Sequence, residues 1–556
     1  MQEAFDWNEE PPLDPAIEYQ GLLRGLRRKK SFGLYFVQCS PAEGTKLIAR
    51  IRQDLPQKIE VLKFDAAMDG NFYQCVADYL QAHDDTEVLF VQGLEYSLLS
   101  YEATKREEGW SSEEIYSYSW KAVPRLLGNL NLQRERFRDN FPIRFVFLLP
   151  SFAMKYLIRR APDFFDWRSG IFYIPSDPEL LGQESLRLLQ EGGYNEYLNW
   201  TQPERDRKIA EIQCWISERN QTSERKVQLF FEQGNLFAAS HEYEAAIASY
   251  DHALKLSPDS YAAWYNRGAA LHKLEHYEEE IVSYDHALKL NPDITKGWFV
   301  RGNALRKLER YEEAIVSYDQ ALKLNPNSYT AWHLRGDALR KLERYEEEIV
   351  SYDHALELNP NSYAAWYVRG TALNKLERYE EAIASYDQAL KLNPDEDFVW
   401  FVRGYALNKL ERYEEAIASY DQALKLNPDE DFAWVVRGYA LNKLERYEDA
   451  IASFDQALKI KPDNSVWYIR GLLLSILGRY DDAIASYDQA LKYKPNDAET
   501  YYNKSRCYGL QDQVELAIAT LKQAIDLNPK CREMAKTDVD FEGVRSDDRF
   551  QAFLRD

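Results

Sequence analysis

The sequence predicts an α/β domain with a parallel sheet, followed by an all-α array of repeated helical hairpins. Four short apolar runs alternate with helical stretches before residue 150, which indicates strands buried on both faces of a parallel sheet. Beyond residue 225, prolines recur every 34 residues with one interval of 33, at positions 258, 292, 326, 360, 394, 428, 462, 495 and 529. A fixed period of this length is typical of stacked supersecondary units.

The four apolar runs are the predicted strands, Phe32–Gln38, Ile59–Asp65, Glu87–Gln92 and Ile143–Leu149. The predicted helices of this part are Lys46–Asp54, Phe72–Leu80 and a longer one around Glu113–Phe137. We assign residues 1–178 to the α/β domain and 179–226 to a helical linker, in which Glu204–Glu218 has the clearest helical pattern.

A phosphate-binding loop is expected after the first strand of such a domain, with glycines, a lysine and a Ser or Thr for Mg²⁺. Only Gly44 fits that pattern, because Thr45 stands in the place of the lysine and Lys46 comes one residue late. The third run ends at Gln92 instead of an aspartate, and Glu95 alone would not hold Mg²⁺. We therefore expect no ATP hydrolysis and no cofactor.

Each repeat contains two apolar stripes with helical spacing. In the repeat that starts at Tyr261, the first stripe consists of Trp264, Gly268, Leu271 and Leu274. The second stripe starts at Tyr277, and Pro292 ends its helix because proline has no N–H and disfavours helix before it. One hairpin cannot bury both faces, so the units are expected to stack as a solenoid with a concave wall.

This pattern resembles the tetratricopeptide repeat. With Tyr261 as position 1, the family's large, small, alanine, aromatic, alanine and proline positions are filled in the next repeat by Trp298, Gly302, Ala314, Tyr318, Ala321 and Pro326. The resemblance implies nine repeats over residues 227–531, a capping helix in 532–556, and a groove that binds a protein or peptide. Two departures are arginine at position 7 in seven repeats and glutamate at position 20 in Glu280 and Glu348.

The residues predicted to line the groove lie on the first helix of each repeat. Position 13 is lysine in six successive repeats, at Lys273, Lys307, Lys341, Lys375, Lys409 and Lys443. Position 12 reads His272, Arg306, Arg340, Asn374, Asn408 and Asn442. Position 5 reads Tyr265, Phe299, His333, Tyr367 and Phe401. These rows would suit an extended acidic peptide; alternatively, the lysines are a solvated edge that complements the helix dipoles.

The arginines at position 7 are interpreted as structural. A half-buried arginine needs a carboxylate partner, and the same seven repeats carry aspartate at position 25, from Asp285 to Asp488. Repeated Arg–Asp pairs between helices are expected; the alternative is that these arginines reach the ligand.

The N-terminal domain, with its degenerate loop and the later segment Arg159–Asp163, looks like an inactive relative of the STAND-type P-loop ATPases that bacteria, notably cyanobacteria, fuse to such arrays. The resemblance implies a scaffold in signalling or defence, with a second protein docked on this domain. Two alternatives stay open, a nucleotide-regulated ATPase switch and an assembly chaperone that shelters a client.

Charge and cysteine content limit the classes of partner. The net charge of −22 disfavours nucleic acid, since phosphates would be repelled. No long apolar span is present, so membrane insertion is not expected, and five unpatterned cysteines favour a reducing cytoplasm. We expect a non-enzymatic adaptor that binds protein partners and holds no metal.

Overall fold

The structure is a computed structural model that describes residues 14–28, 31–65, 67–68, 71–98, 125–216, 218 and 221–555. The predicted fold class is confirmed: a five-stranded parallel α/β domain precedes a long series of paired helices. The described chain divides into two compact units, up to Leu308 and from Glu309 onward.

The α/β domain in the first unit has all four strands that the apolar runs predict. The strands are β1 Gly33–Gln38, β2 Ile59–Lys63, β3 Val88–Gln92, β4 Arg144–Leu149 and β5 Arg168–Tyr173. They pair in parallel in the order β2-β3-β4-β1-β5. The helices of this domain are α1 Pro15–Arg27, α2 Pro41–Asp54, α3 Phe72–Ala82, α4 Arg125–Asn140, α5 Ser151–Arg160 and α6 Pro162–Phe165.

The sheet is buried on both faces, as a continuous apolar strand requires. Alternate residues of β1 belong to different cores, because successive side chains of a strand point to opposite faces. Leu34 and Phe36 pack with the aromatic cluster around Phe147, whereas Tyr35 and Val37 pack against α1 and α2.

Three features of this domain differ from the sequence prediction. The strand β5 was not predicted, because it is short, contains Gly170 and is only half-buried at the sheet edge. Helix α2 starts at Pro41 rather than Lys46, since Ser40 caps it and proline is favoured at the first helical position. Of the predicted helix Glu113–Phe137, residues 113–124 lie outside the described residues.

The linker is helical, as predicted, and consists of α7 Pro178–Gln190, α8 Tyr194–Tyr197 and α9 Gln202–Ile216. Its apolar side chains form one core with the first helical pair of the array. That core contains Leu188, Tyr197 and Trp215 from the linker together with Leu236 and Tyr250. The linker therefore packs as an extension of the array.

The array consists of nine successive pairs of helices. Their bounds are α10 Ser223–Ala239, α11 Tyr243–Leu256, α12 Tyr261–Lys273, α13 Tyr277–Leu290, α14 Thr295–Lys307, α15 Tyr311–Leu324, α16 Tyr329–Lys341, α17 Tyr345–Leu358, α18 Tyr363–Lys375, α19 Tyr379–Leu392, α20 Asp397–Lys409, α21 Tyr413–Leu426, α22 Asp431–Lys443, α23 Tyr447–Ile460, α24 Asn464–Ile476, α25 Tyr480–Tyr493, α26 Ala498–Leu510 and α27 Val514–Leu527. The second unit starts between α14 and α15. In seven pairs the second helix ends just before an Asn-Pro or Ser-Pro step, and in the other two it ends before a Lys-Pro step, as the proline predicts.

The constant spacing between proline and tryptophan has a physical cause. In six repeats the indole Nε1 donates a hydrogen bond of 2.8–2.9 Å to the carbonyl of the proline six residues earlier. Trp467 lies within the shortened interval, five residues after Pro462, and its buried Nε1 has no partner among the described residues. The missing residue thus costs that repeat one hydrogen bond.

Glycine at position 8 allows the two helices of a repeat to approach closely. A Cβ at Gly404 would lie 2.7 Å from the ring of Tyr420, which is fully buried on the facing helix. Such a contact is far inside van der Waals distance, so alanine would force the helices apart.

The C-terminal residues cover the last repeat. The segment contains α28 Lys530–Thr537, α29 Glu542–Arg545 and α30 Asp548–Arg555. Phe541 and Phe550 are fully buried and pack in one core with Tyr502 and Leu521. A terminal repeat needs such a cover for its exposed apolar face.

No helix in the described ranges is long and apolar enough to cross a lipid bilayer.

Candidate partner-binding surface

The predicted lysines stand at the C-terminal end of successive first helices and are exposed. In the second unit they are Lys341, Lys375, Lys409 and Lys443; in the first unit they are Lys273 and Lys307. None of them forms an ion pair within the part of the chain that the structure describes, although the ammonium of Lys409 lies 5.4 Å from the ring centre of Tyr405. These cations are therefore available to a ligand, as the prediction requires.

The residues at position 12 are less exposed than the lysines, except for His272, and two of them have internal contacts. Arg340 bonds to Asp337 at 2.7 Å, and His272 contacts Glu280 at 3.0 Å. Arg306, Asn374, Asn408 and Asn442 are half-buried. The amide oxygen of Asn374 is buried and has no hydrogen-bond partner among the described residues, so that amide has capacity for an external donor.

The residues at position 5 are half-buried and pack on the tyrosine of the following helix. Ring centroids lie 5.4 Å apart for Tyr265 and Tyr284, 5.4 Å for His333 and Tyr352, and 6.0 Å for Phe401 and Tyr420. Phe299 and Tyr367 are also half-buried. These rings contribute to the core of each repeat as well as to its surface.

Sequence reasoning missed two exposed phenylalanines on the same helices. Phe398 and Phe432, at position 2 of successive repeats, are 54% and 52% exposed. Their rings lie 6.0 and 5.8 Å from that of Phe401, so the three form one aromatic cluster in the second unit. The sequence signal for them is the Asp-Phe pair at the start of these two repeats, where earlier repeats have Tyr-Ala or Tyr-Thr.

A small cavity of about 170 Å³ lies beside this cluster. Phe398, Phe401 and Phe432 form most of its apolar wall, and the acidic residues Asp397 and Glu430 also line it. Asp397 already accepts a hydrogen bond of 2.9 Å from Asn427. The cavity therefore suits an apolar side chain and disfavours an acidic one.

The arginines at position 7 form the predicted pairs with aspartate, and the partner belongs to the preceding repeat. In the second unit, Nε of Arg335, Arg369, Arg403, Arg437 and Arg470 lies 2.5–2.6 Å from that carboxylate. The same guanidinium donates from Nη1 to a serine of its own repeat, as Arg403 does to Ser419 at 2.6 Å. Each arginine thus joins three helices, which favours the structural interpretation.

The first unit shows the same pairs, and the last repeat replaces the arginine. Arg267 pairs with Asp251 at 2.7 Å and Arg301 with Asp285 at 2.5 Å. Asp488 is paired by Lys504 at 2.5 Å. Asp251 therefore takes part in the series although sequence reasoning did not include it.

Two glutamates are buried where other repeats have alanine. Glu280 and Glu348 are both 0% exposed. Burial raises the pKa of Glu280 to about 7, and the nearby His272 opposes that rise. Burial raises the pKa of Glu348 to about 8, and neither of its carboxyl oxygens has a hydrogen-bond partner among the described residues.

In the N-terminal domain, Gly44, Thr45 and Lys46 lie in the first turns of α2, and the end of that helix is covered. Ser40 caps the helix and is 1% exposed. Its hydroxyl accepts a hydrogen bond of 2.8 Å from Ser176, whose Oγ lies 3.4 Å from the carboxyl of Glu218. The carboxyl group of Glu218 near this helix end disfavours a phosphate.

Lys46 and Glu95, the two residues that a working nucleotide switch would have to use in place of the missing groups, are not brought together. The ammonium of Lys46 lies 3.4 Å from Glu43, and its side chain is 57% exposed. Glu95 is buried, and burial raises its pKa to about 7. No hydrogen bond or ion pair joins Lys46 to Glu95 in the described part of the chain.

Comparison with known families gives matches throughout the array. Models of the tetratricopeptide repeat match residues 234–294, 302–396, 401–465 and 476–537, which together are just over half of the chain. None of the curated proteins matches the chain. The family matches run from the first helical pair to the last.

Three solved structures are similar to parts of the chain. YrrB, described as a TPR protein with an unusual peptide-binding site, is 25% identical, with 33% of this chain and 94% of that chain covered and a TM-score of 0.31. MamA from Desulfovibrio magneticus is 21% identical, with 30% and 94% covered and a TM-score of 0.29. A tetratricopeptide repeat protein from Parabacteroides merdae is 19% identical, with 45% and 99% covered and a TM-score of 0.30.

Proposed function

This chain is a tetratricopeptide repeat protein, and we propose that it is a non-enzymatic scaffold that holds an extended segment of a partner protein on its first helices. Tetratricopeptide repeats bind proteins or peptides, so a protein partner follows from the family. The observation that carries the proposal is the exposed aromatic cluster of Phe398, Phe401 and Phe432. Large exposed apolar side chains that lie together mark an interaction site.

The chemistry of the surface selects the kind of segment. Lys409 and Lys443 are exposed on the same two helices as Phe398 and Phe432 and have no internal ion pair among the described residues. Acidic side chains of a partner would meet these cations, while an apolar side chain would enter the cavity beside Phe401. Asp397 and Glu430 would repel an acidic residue from the cavity itself. We therefore propose a segment in which acidic and apolar residues are interspersed.

A peptide selection tests this function. Peptides selected by the full chain from a random displayed library should be rich in Asp, Glu and large apolar residues. A triple variant with Lys341→Glu, Lys375→Glu and Lys409→Glu should bind a selected peptide about tenfold or more weakly. Each exposed contact contributes roughly 0.2–1 kcal/mol, and charge reversal adds repulsion. The weakening should be steepest at low salt.

A matched triple variant controls for net charge. Lys323, Lys391 and Lys425 stand near the ends of second helices, and their reversal to glutamate makes the same change in total charge. This control should bind the peptide within about twofold of the unaltered chain, because long-range effects between exposed charges are screened. Equal loss in both triple variants, or selected peptides without acidic residues, would contradict the proposed surface.

We propose further that the N-terminal domain is a degenerate relative of the P-loop ATPases that does not hydrolyse ATP. In its support, β1 lies between β4 and β5, and α2 follows it at the carboxyl edge of the sheet, where such domains bind phosphate. Against activity stand the misplaced Lys46 and the covered helix end at Ser40. Its place in signalling or defence, with a second protein on this domain, rests on the family resemblance alone.

Calorimetric titration with Mg-ATP tests the absence of nucleotide binding. No heat of binding is expected at micromolar nucleotide. Micromolar affinity that Lys46→Ala abolishes would replace the scaffold with an ATPase switch. None of the five cysteines, all of which lie among the described residues, forms a disulfide, which supports a reducing, cytoplasmic setting.

A further inference from the structure

A cavity of about 270 Å³ lies at the carboxyl edge of the sheet in the first unit. Residues that follow β1, β2, β3 and β4 form its floor, and α7 and α9 of the linker close it from above. Ligands of open parallel sheets bind at this edge. The N-terminal end of α2 borders the cavity through Ser40 and Pro41, and the carboxyl group of Glu218, which contacts Ser176 beside Ser40, disfavours a phosphate group there.

A buried carboxyl group forms part of the cavity wall. Gly93 has a φ of +86°, and a Cβ there would collide with the carbonyl of Phe64, so the turn after β3 requires glycine. This turn brings Glu95 to the cavity. Glu95 is 5% exposed, and its Oε2 has no hydrogen-bond partner within the described ranges. The backbone N–H groups of Gly93 and Glu95 favour the charged form of this carboxyl group, whereas burial raises its pKa. A cationic donor at Oε2 would stabilise the buried carboxylate.

The other charged groups of the cavity already have partners. Lys63 pairs with Asp65 at 2.8 Å, Arg187 with Glu191 at 2.8 Å, and Glu211 with Arg207 at 3.3 Å. Burial raises the pKa of the thiols Cys39 and Cys214, so both are neutral. Glu95 is therefore the ionisable carboxyl group of the cavity that has no ion-pair partner among the described residues.

Ser40, Thr45 and Gln92 add uncharged polar groups to the lining, and an aromatic part of the wall is formed by Phe64, Tyr96 and Trp215. Aromatic faces attract cations, most strongly where water is excluded. A metal ion is disfavoured, because no three His, Cys, Asp or Glu side chains come together as a metal site in the described part of the chain. The volume is slightly below the range of about 300–1,000 Å³ that is usual for drug-sized ligands, so it fits a single ring.

We propose that this cavity binds a small organic cation, whose N–H groups donate to Glu95 and whose apolar body lies against Phe64, Tyr96 and Trp215. This site is separate from the partner-binding surface on the array and does not depend on the proposed scaffold function.

Two probes of equal shape and different charge test the proposal on the full chain. Benzamidine is a planar cation with a single ring, and benzamide is its neutral counterpart. By isothermal titration calorimetry, benzamidine should bind at millimolar concentration or below and at least about tenfold more tightly than benzamide, because only the cation compensates a buried carboxylate. No detectable binding of benzamidine, or equal affinity for both probes, overturns the proposal.

Three variants locate the binding. Glu95→Gln should lower the affinity for benzamidine by about tenfold and leave the affinity for benzamide unchanged, since it removes the charge and keeps the shape. Glu244→Gln removes an exposed carboxylate in the first turn of α11 and should change neither affinity. Thr45→Phe places a ring at an exposed position that lines the cavity, and it should lower the affinity for both probes.

Thr45→Phe also keeps the test decisive if Glu95→Gln does not fold. Benzamidine affinity that is unchanged in Thr45→Phe would place the binding elsewhere and overturn the proposal. Loss of both probes in this variant, with an unchanged circular dichroism spectrum, supports the cavity as the site.

Discussion

The α/β domain and the helical array bury aromatic side chains in different ways. In the α/β domain one cluster gathers Phe36, Phe72, Phe137 and Phe147 from strands and helices far apart in the sequence. In the array each buried ring, such as Tyr420, packs against glycine on the adjoining helix of its own repeat. The domain is therefore expected to lose its structure as one unit, whereas the array should respond to a change repeat by repeat.

The largest effect is expected from removing one ring of the shared cluster. The Phe36 ring lies 5.2 Å from that of Phe147 and 5.1 Å from that of Phe165. Phe36→Ala should destabilise the α/β domain by about 3–5 kcal/mol, through lost burial and the cavity left behind. Hydrogen exchange measured by mass spectrometry should rise in all five strands and stay unchanged beyond Glu309.

Tyr420→Ala is the matched change in the array. It removes a ring of similar size that is equally buried, and exchange should rise in its own and the adjoining repeats alone. Faster exchange confined to β1 in Phe36→Ala, or spread over the whole second unit in Tyr420→Ala, would contradict this comparison.

A smaller effect is expected from the arginines that connect repeats. Arg403→Met keeps an apolar stem but leaves Asp387 and Ser419 without their shared donor. Urea unfolding should show a loss of about 1–3 kcal/mol, the usual cost of a hydrogen bond to a charged group. Arg412→Met is the control, because the pair between Arg412 and Glu415 is exposed and lies within one helix end. The control should change stability by less than about 0.5 kcal/mol. Equal losses in the two variants would show that the pair between Arg403 and Asp387 contributes no more than an exposed ion pair.

Replacing the buried glutamate of one repeat should stabilise the protein in a pH-dependent way. Burial raises the pKa of Glu348 to about 8, and the charged groups nearest to it are Arg340 and Asp337. The folded state therefore binds the proton more tightly than the unfolded chain, so stability falls as pH rises from about 4.5 to about 8 and then levels off.

Glu348→Ala introduces the residue that other repeats have at this position, such as Ala382. It should add about 1–3 kcal/mol near pH 9, where the buried group is ionised, and little near pH 5. Thermal unfolding at both pH values measures the difference. A gain that is equal at the two pH values would show that the charge is not the cause.

The smallest effect separates two tyrosines at the same position. The hydroxyl of Tyr352 donates to Asp337 at 2.9 Å, whereas that of Tyr420 is buried and has no hydrogen-bond partner among the described residues. Tyr352→Phe should cost about 1 kcal/mol, and Tyr420→Phe should be neutral or slightly stabilising. Phe454 fills the same place two helices later, which shows that the position accepts a ring without a hydroxyl. Chemical unfolding of both variants checks the difference; equal losses would contradict it.

The sequence by itself determined the elements of both regions wherever a pattern repeats or an apolar run is continuous. The helical pairs followed from a period of 34 residues, and four strands followed from runs that are buried on both faces. The strand β5 was not predicted, because this edge strand is only half-buried and has no continuous apolar run. Lysines at position 13 could be placed on the surface, since polar residues at the end of an amphipathic helix stay solvated.

Tertiary structure alone decided which groups meet. The partner of each arginine is the aspartate of the preceding repeat. Sequence spacing leaves this choice open, because every repeat but the last has an aspartate at position 25. The exposed cluster around Phe401 depends on how neighbouring first helices stack, and the cavity at Glu95 depends on how α9 covers the sheet. Periodicity specifies which face of a helix is apolar, but contacts between faces are set by packing, which no local pattern contains.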